Sequence, residues 1–273
     1  MTPHEPRPRA DAVTVPPRSS SCVYALPLIA LACSFAACGR IPGQFEIVQN
    51  QAPHPGCVID TSPTVYRGDG TLDLSLVQSG SDSAYFVFPL LQNNLPGSSG
   101  GPDPNRITMH SFAVDIGASP YGSLPDGVRN LFGSLEQGGS SSPDYALLHY
   151  SVPWSASVDS GGGLTATIVS GFPVELAQRV RATGAVGLAR TSMVVNAHVR
   201  AFGSTTTQDM ESDPLDFPIF VCDGCLVATV LTCPFPSAPA NEGNPCNISQ
   251  DSFVDCCSLN GDLVCPPIVS GAQ

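Results

Sequence analysis

The chain contains no lysine, and its 11 basic residues, all arginine, are outnumbered by 23 acidic ones. The absence of lysine indicates a GC-rich coding bias rather than a function. The formal net charge of −12 at pH 7 repels the phosphate backbone of DNA and RNA, so the composition argues against a nucleic-acid partner. Cations and basic protein surfaces remain compatible with this charge, and solubility alone also accounts for it.

Charged residues of either sign are scarce, at 12% of the chain, whereas glycine (26 residues) and proline (27 residues) are abundant. This balance favours short strands joined by turns over long helices. A hydrophobic fraction of 42% excludes a wholly disordered chain. Strands and helices do not alternate along the sequence, which argues against Rossmann and TIM-barrel folds.

One uncharged apolar run, residues 23–37, stands near the start of the chain and follows three arginines. It is too short to cross a bilayer comfortably but has the length of the hydrophobic part of a signal peptide. The run ends in Ala36-Ala37-Cys38. This ending resembles the lipobox of bacterial prolipoproteins, in which a small residue precedes a cysteine that is lipidated and becomes the mature N-terminus.

The resemblance implies that residues 1–37 are a signal peptide and that Cys38 carries a diacylglyceryl group. The protein would then lie outside the cytoplasm, with the membrane as a partner through its lipid anchor. Gly39, in place of aspartate, implies export to the outer membrane in a Gram-negative cell. Cys33, which follows Ala30-Leu31-Ala32, is the alternative processing site. The mature chain keeps 8 arginines and 21 acidic residues, a net charge near −13.

The number of cysteines supports processing at Cys38. Of the 11 cysteines, Cys22 and Cys33 leave with the signal peptide and Cys38 is used by the lipid. An even set in an oxidising compartment predicts four disulfides, whose connectivity the sequence does not define. We expect Cys57 to be linked to the C-terminal cluster. The eight remaining residues are Cys57, Cys222, Cys225, Cys233, Cys246, Cys256, Cys257 and Cys265.

Between Cys57 and Cys222 the hydrophobic pattern is repeatedly that of β-strands. We predict an antiparallel β-sandwich of roughly seven or eight strands over residues 57–222, preceded by a tether, residues 38–56. A single short helix is predicted to begin at Pro173, which suits the first helical position, and to end near Gly184. Residues 223–273 form a cystine-rich appendage with too few apolar residues for a core of its own. The predicted strands are residues 71–77, 85–91, 106–116, 145–158, 164–172, 192–202 and 214–222.

One stretch, Gly97-Ser98-Ser99-Gly100-Gly101, satisfies the G-x-S-x-G pattern of a hydrolase nucleophile elbow. That elbow needs a strand before the serine and a helix after it, whereas residues 102–105 (PDPN) do not begin a helix. If the pattern were catalytic, Ser99 would be the nucleophile, with Asp115 and either His149 or His198 as its partners.

Four further patterns have a functional and a structural interpretation, and the structural one is preferred each time. The spacing of Cys222 and Cys225 suits zinc or thiol exchange, but disulfides are expected in an oxidising compartment. A carboxylate-rich loop offers oxygen ligands for Ca²⁺ but lacks EF-hand spacing. The integrin-type tripeptide is also an ordinary turn sequence, and the glycosylation sequon has no role in most bacteria. These patterns are Cys222-x2-Cys225 with Cys256-Cys257; Asp209, Glu211, Asp213 and Asp216; Arg67-Gly68-Asp69; and Asn247-Ile248-Ser249.

The sequence therefore predicts a non-enzymatic lipoprotein of the cell envelope that serves in binding, adhesion or envelope structure. No catalytic, metal or cofactor site is predicted, and the partner is an unknown protein or envelope ligand. The alternative hypothesis is a secreted serine hydrolase that uses Ser99.

Overall fold

The computed structural model describes residues 43–78, 81, 83–120, 123–187 and 193–266, which belong to one compact unit. The predicted signal peptide and Cys38 lie outside these residues. The helices are α1 (Asp126–Gln137) and α2 (Val174–Ala182). The strands are β1 (Phe45–Asn50), β2 (Gly70–Asp73), β3 (Tyr85–Val87), β4 (Pro89–Asn93), β5 (Ile107–Ala118), β6 (His149–Pro153), β7 (Ser157–Val158), β8 (Gly163–Ala166), β9 (Val169–Phe172), β10 (Met193–Ser204), β11 (Asp209–Glu211), β12 (Leu215–Cys222), β13 (Val227–Thr232), β14 (Val254–Leu259) and β15 (Asp262–Val264).

The main sheet has the strand order β2-β12-β10-β5-β6, with β11 added to β10 and β7 to β5. Its pairings are antiparallel except that of β12 with β2. A smaller antiparallel sheet, β1-β4-β8, lies against it, since β1 contacts both β10 and β12. The predicted all-β sandwich is therefore confirmed. No helix among the described residues is long and apolar enough to cross a bilayer.

The two longest strands, β5 and β10, form the centre of the main sheet and alternate between core and solvent. On β10, Val195, Ala197 and Val199 are buried while the residues between them are partly exposed. This is the period of a strand with one face on a core. Helix α2 covers part of that core with Leu176 and Val180, so the predicted helix is present where its pattern placed it.

Strand β5 carries a β-bulge that changes which residues face the core. Phe202 pairs with Ser111 and Gly203 with Met109, so His110 has no opposite residue. Buried positions accordingly pass from odd numbers before the bulge to even numbers after it, beginning with Phe112. In a regular strand Ile107, Met109 and Ser111 would share one face, but Ser111 leaves that face because an extra residue reverses the alternation.

Helix α1 is a second helix beyond the single one that the sequence predicts, and it lies in a stretch rich in Gly, Ser and Pro, residues 117–143. Its buried residues, Val128, Phe132 and Leu135, recur at helical spacing and pack on the main core. The two glycines within the helix, Gly127 and Gly133, conceal this pattern because glycine is a poor helix former.

The folded unit also begins earlier than the predicted tether allows. Strand β1 lies inside residues 38–56, pairs with β4 and buries Phe45 in the core. A strand paired along its length is part of the sandwich rather than a flexible linker.

The eight cysteines form four disulfides, which is the arrangement expected of a protein outside the cytoplasm. Cys57 is bonded to Cys246, 189 positions away. The appendage has its own sheet, of order β13-β14-β15, and a small core around Leu76, Leu226 and Val254. The other disulfides are Cys222–Cys225, Cys233–Cys257 and Cys256–Cys265.

Candidate functional site

The solvent face of the main sheet carries four ionisable residues directly opposite one another on four adjacent strands. Asp115 of β5 pairs with His149 of β6 on one side and with His198 of β10 on the other. His198 in turn pairs with Asp216 of β12. We call His149, Asp115, His198 and Asp216 the ionic row. Its residues alternate in type, and opposite charges in such cross-strand positions attract.

At one end of the row, His149 lies between two carboxylates. Its Nδ1 is 2.8 Å from Oδ1 of Asp115, and its Nε2 is 2.9 Å from Oε1 of Glu136 at the end of α1. The ring of Tyr145 stacks on the imidazole with centroids 4.2 Å apart. A neutral imidazole offers only one N–H donor, so two carboxylate acceptors favour the imidazolium form.

The pKa of His149 reflects this arrangement. Partial burial lowers the pKa, but the hydrogen bonds to Asp115 and Glu136 and the charges of both carboxylates outweigh burial and raise it above the usual 6.5. His149 therefore stays protonated to a higher pH than an isolated histidine would. In its protonated form it connects α1 to the sheet through its bonds to Glu136 and Asp115.

Arg200 extends the ionic row toward β11. One guanidinium nitrogen is 3.3 Å from Oδ2 of Asp115 and the other is 3.2 Å from Oε1 of Glu211. Asp115 thus accepts from His149 and Arg200 through different oxygens. Because each of these groups is about one third exposed, water screens the pairs and they contribute little to stability.

At the other end of the row, Asp216 accepts hydrogen bonds from two residues of β10. Oδ1 lies 2.7 Å from Nδ1 of His198 and 2.8 Å from Nδ2 of Asn196. The bond to His198 is the main reason that the pKa of Asp216 lies below its usual value. A carboxylate held ionised on an open sheet face offers negative charge to a partner rather than a proton to a substrate.

The structure does not form a nucleophile elbow at Ser99. This serine is exposed in a bend within the loop between β4 and β5, and the next regular element is strand β5 rather than a helix. Its proposed partners lie together on the main sheet, where Asp115 binds His149 and stands opposite His198. Residues 93–107 do not contain the strand–turn–helix geometry that the motif needs, which agrees with the expectation that residues 102–105 do not begin a helix.

A different serine contacts a histidine at the β5 bulge. Ser204 Oγ lies 2.9 Å from Nε2 of His110, the residue that the bulge turns outward. Among the described residues no carboxylate binds the other nitrogen of His110. The pair therefore lacks the third group that orients a catalytic histidine.

One cluster has the composition of a metal site, but its donors are already engaged. Asp73, Cys222 and Cys225 bring their ligand atoms within 4.8 Å of one another. The two sulfurs are bonded to each other. The carboxylate of Asp73 accepts hydrogen bonds from the amide and the hydroxyl of Ser75 and from the amides of Gly224 and Leu226. Asp73 therefore acts as a fully buried cap for the segment that carries the Cys222–Cys225 disulfide.

The other proposed cysteine sites, a zinc site and a thiol-exchange site, are also excluded because their sulfurs are in disulfides. Cys256 and Cys257, proposed as further zinc ligands, are bonded to Cys265 and Cys233. The Cys222–Cys225 pair follows a strand and is followed by a bend. It does not open the helix that activates the thiol in thiol oxidoreductases.

The carboxylates proposed for Ca²⁺ are directed to separate partners. Glu211 binds Arg200 and Asp216 binds His198, while Asp209 pairs with Ser204 in a ladder. Within the described residues they are not among the groups whose ligand atoms converge.

Two short motifs are used structurally. Arg67 of the integrin-type tripeptide lies 3.7 Å from the buried carboxylate of Asp251. Its neighbours form a bend that leads into β2 rather than a hairpin turn. In the sequon, Asn247 Nδ2 donates to the carbonyls of Ser83 and Ala84 at 3.0 and 3.1 Å. Glycosylation of that nitrogen would break the contact between the appendage and the segment that leads into β3.

Comparisons with known proteins found no matching family model, no matching curated protein and no matching solved structure. The ionic row is the site that sequence reasoning missed. Asp115, His149 and His198 were singled out only as partners for Ser99, and Glu136, Arg200 and the Asp216 pairing were not linked to them. Strand register brings these residues together, and the bulge that sets the register has no signature in the sequence.

Proposed function

We propose that this protein is an exported, lipid-anchored binding module of the cell envelope that recognises its partner through the solvent face of the main sheet. The ionic row carries the proposal. It concentrates four ionisable side chains in register on a rigid sheet, where each is held by a neighbour. A polar partner surface with matching charges would find these groups already oriented, which favours specific encounter.

Three further observations support a binding role. Four disulfides and a continuous two-sheet core make the scaffold rigid. The net charge of −12 disfavours nucleic acid and favours a partner with basic groups. The row is flanked by Arg200 and Glu136, so the face has charges of both signs and can discriminate between partners by pattern rather than by total charge.

The binding face is tested by a paired substitution in the full chain. His198→Ala with Asp216→Ala removes one half of the row. Asp126→Ala with Arg129→Ala removes a more exposed ion pair on α1 and serves as the control. Each chain is incubated with envelope vesicles from a host strain that lacks the gene, and the bound fraction is measured. We expect the first variant to lose binding and the control to keep it; equal binding by both would contradict the assignment of this face.

The membrane anchor is tested separately, because Cys38 lies outside the described residues. Metabolic labelling with palmitate should mark the wild-type chain and leave Cys38→Ser unlabelled. Equal labelling of both chains would refute lipidation at this residue without affecting the binding face.

The alternative, a serine hydrolase that uses Ser99, predicts a different result. The exposed loop around Ser99 lacks an elbow, so Ser99→Ala should leave any hydrolysis of p-nitrophenyl acetate unchanged. Loss of that activity on substitution would favour the enzyme.

A further inference from the structure

Strand β13 is the outer strand of the appendage sheet, and its residues 228–232 are exposed. It pairs in parallel with β14 along one edge, and among the described residues no strand pairs with its other edge. Val230 is 49% exposed and its neighbour Leu231 is 44% exposed. Successive side chains of a strand point to opposite faces, so both faces of β13 are open as well as its outer edge.

This edge lacks most of the features that prevent strands from pairing with other chains. Edge strands are commonly protected by lysine, proline or inward-pointing charge. The chain has no lysine, no basic residue follows Arg200, and residues 224–240 carry no charge at all. A register shift between Val227 and Thr229 interrupts the start of the strand. The remaining stretch, Thr229–Thr232, is regular and rich in residues that favour β-structure.

We propose that β13 pairs antiparallel with β13 of a second copy of this chain, joining the two appendage sheets across a two-fold axis. An exposed edge of this kind accepts an extended strand, because its unpaired N–H and C=O groups repeat along one line. The two-fold axis stands perpendicular to the sheet, so each face continues into the same face of the partner.

The absence of charge on β13 favours a second copy of β13 as the strand that pairs with it. Most surfaces of a chain with net charge −12 repel each other when two copies meet. At β13 no charged side chain opposes another in any antiparallel register, and only Val, Leu, Ala and Thr meet across the axis. A basic partner would gain nothing here, because β13 offers no carboxylate. The pairing is separate from the ionic row, so it does not depend on the proposed function.

The association is expected to be weak and to strengthen with salt. Edge pairing of a few residues covers less surface than stable interfaces bury. The exposed acidic residues elsewhere in the appendage, such as Glu242 and Asp262, still repel their counterparts from a distance, and salt screens that repulsion. An association held by ion pairs would show the opposite dependence on salt.

Photocrosslinking in the full chain tests the pairing. A benzophenone amino acid is placed at Thr229 and, as a control, at Thr64, which is an exposed threonine outside the strand. In cells that export the protein we expect a covalent homodimer from position 229 and little from position 64. In isolated envelopes the yield at position 229 should rise with salt. No dimer at position 229, or equal yields from both positions, would overturn the proposal.

Two substitutions distinguish edge pairing from packing on one face. Val230→Lys and Leu231→Lys place charge on opposite faces of the same edge, and each should lower the yield roughly fivefold, as like charges across a strand pair do. Val65→Lys changes an exposed valine in the same way away from β13 and should leave the yield unchanged. A loss with only one of the two β13 variants would contradict edge pairing. If a variant does not fold, amide exchange in the wild type decides, because β13 amides must become protected as concentration rises.

Discussion

The hydroxyl of Tyr85 donates to both carboxylate oxygens of Asp251, at 3.1 and 3.0 Å, across 166 positions of sequence. The same carboxylate accepts from the amide of Thr71 at 2.8 Å. Tyr85 and Thr71 belong to the sandwich and Asp251 to the appendage. Asn247 also binds Ser83, just before β3, and Gln250 binds Phe86 within β3. These contacts make the appendage part of the sandwich rather than a separate unit.

We predict that Asp251→Asn makes the stability of the protein less dependent on pH. Burial raises the pKa of Asp251 above its usual 3.8, against the attraction of Arg67 and the hydrogen bond from Thr71. An acid whose pKa is higher in the folded state binds protons more tightly when folded. Its ionisation therefore destabilises the fold as pH rises above about 4.

Asparagine is a suitable replacement because it keeps an acceptor oxygen and tolerates the left-handed backbone of residue 251, where φ is 64°. Denaturant unfolding at a series of pH values should show the wild type losing stability relative to Asp251→Asn as pH rises from 4 toward 7. A constant difference over that range would show that the carboxyl titrates as it does in the unfolded chain.

Gly70→Ala should destabilise the fold, whereas Gly68→Ala should not. A Cβ on Gly70 would collide with the ring and hydroxyl of Tyr85, and the rigid aromatic ring cannot move without breaking its contact with Asp251. A Cβ on Gly68 meets no atom within 4 Å. We expect a loss of about 1–3 kcal/mol for Gly70→Ala, the usual cost of overpacking. Thermal unfolding of the two variants provides the comparison, and similar midpoints would contradict the close approach.

Sequence patterns predicted the fold class because alternation and helical spacing are local. The alternation in β10 and the helical spacing in α2 can be recognised because each element keeps one face against the core along its whole length. Residues 85–91 were predicted as one strand, yet the chain changes sheets at Phe88 and forms β3 and β4. A continuous apolar run does not show where a strand leaves one sheet for another, because both halves are buried.

The candidate site was less accessible to sequence analysis for a related reason. The ionic row depends on the register of three strand pairs, and a shift of one residue would send Asp115 to the core. The bulge at His110 determines that register. Likewise, the even number of cysteines predicted four disulfides. Their connectivity depends on how the appendage packs on the sandwich through Ser249 and Gln250, which the sequence does not show.

Glu136→Gln should lower the pKa of His149. Burial alone lowers this pKa, and the carboxylates of Asp115 and Glu136 raise it above 6.5, so removing one carboxylate charge moves it down. A histidine whose pKa is raised by folding stabilises the fold fully below its unfolded pKa, and this stabilisation is lost as pH rises through the folded value. The contact of α1 with the sheet should therefore weaken above about pH 6.5.

An NMR titration of the His149 ring protons measures this pKa. Asp126→Asn is the matched control, since Asp126 is an α1 carboxylate that binds Arg129 instead of the histidine. We expect the titration midpoint to fall in Glu136→Gln and to stay unchanged in Asp126→Asn. An equal fall in both would mean that the general acidity of α1, rather than the hydrogen bond, sets the pKa.

Removing the Cys57–Cys246 disulfide should cost more stability than removing Cys256–Cys265. The first bond closes a separation of 189 residues and the second a separation of 9. In the chain-entropy model these loops contribute about 5 and about 2.5 kcal/mol. Cys256 is fully buried, so its replacement adds a packing loss that works against the predicted order. Double substitutions to alanine, compared by guanidinium unfolding, should nevertheless place the Cys57/Cys246 variant lower. The reverse order would show that the hydrogen bonds of Asn247, Ser249 and Asp251 already hold the appendage in place without the covalent link.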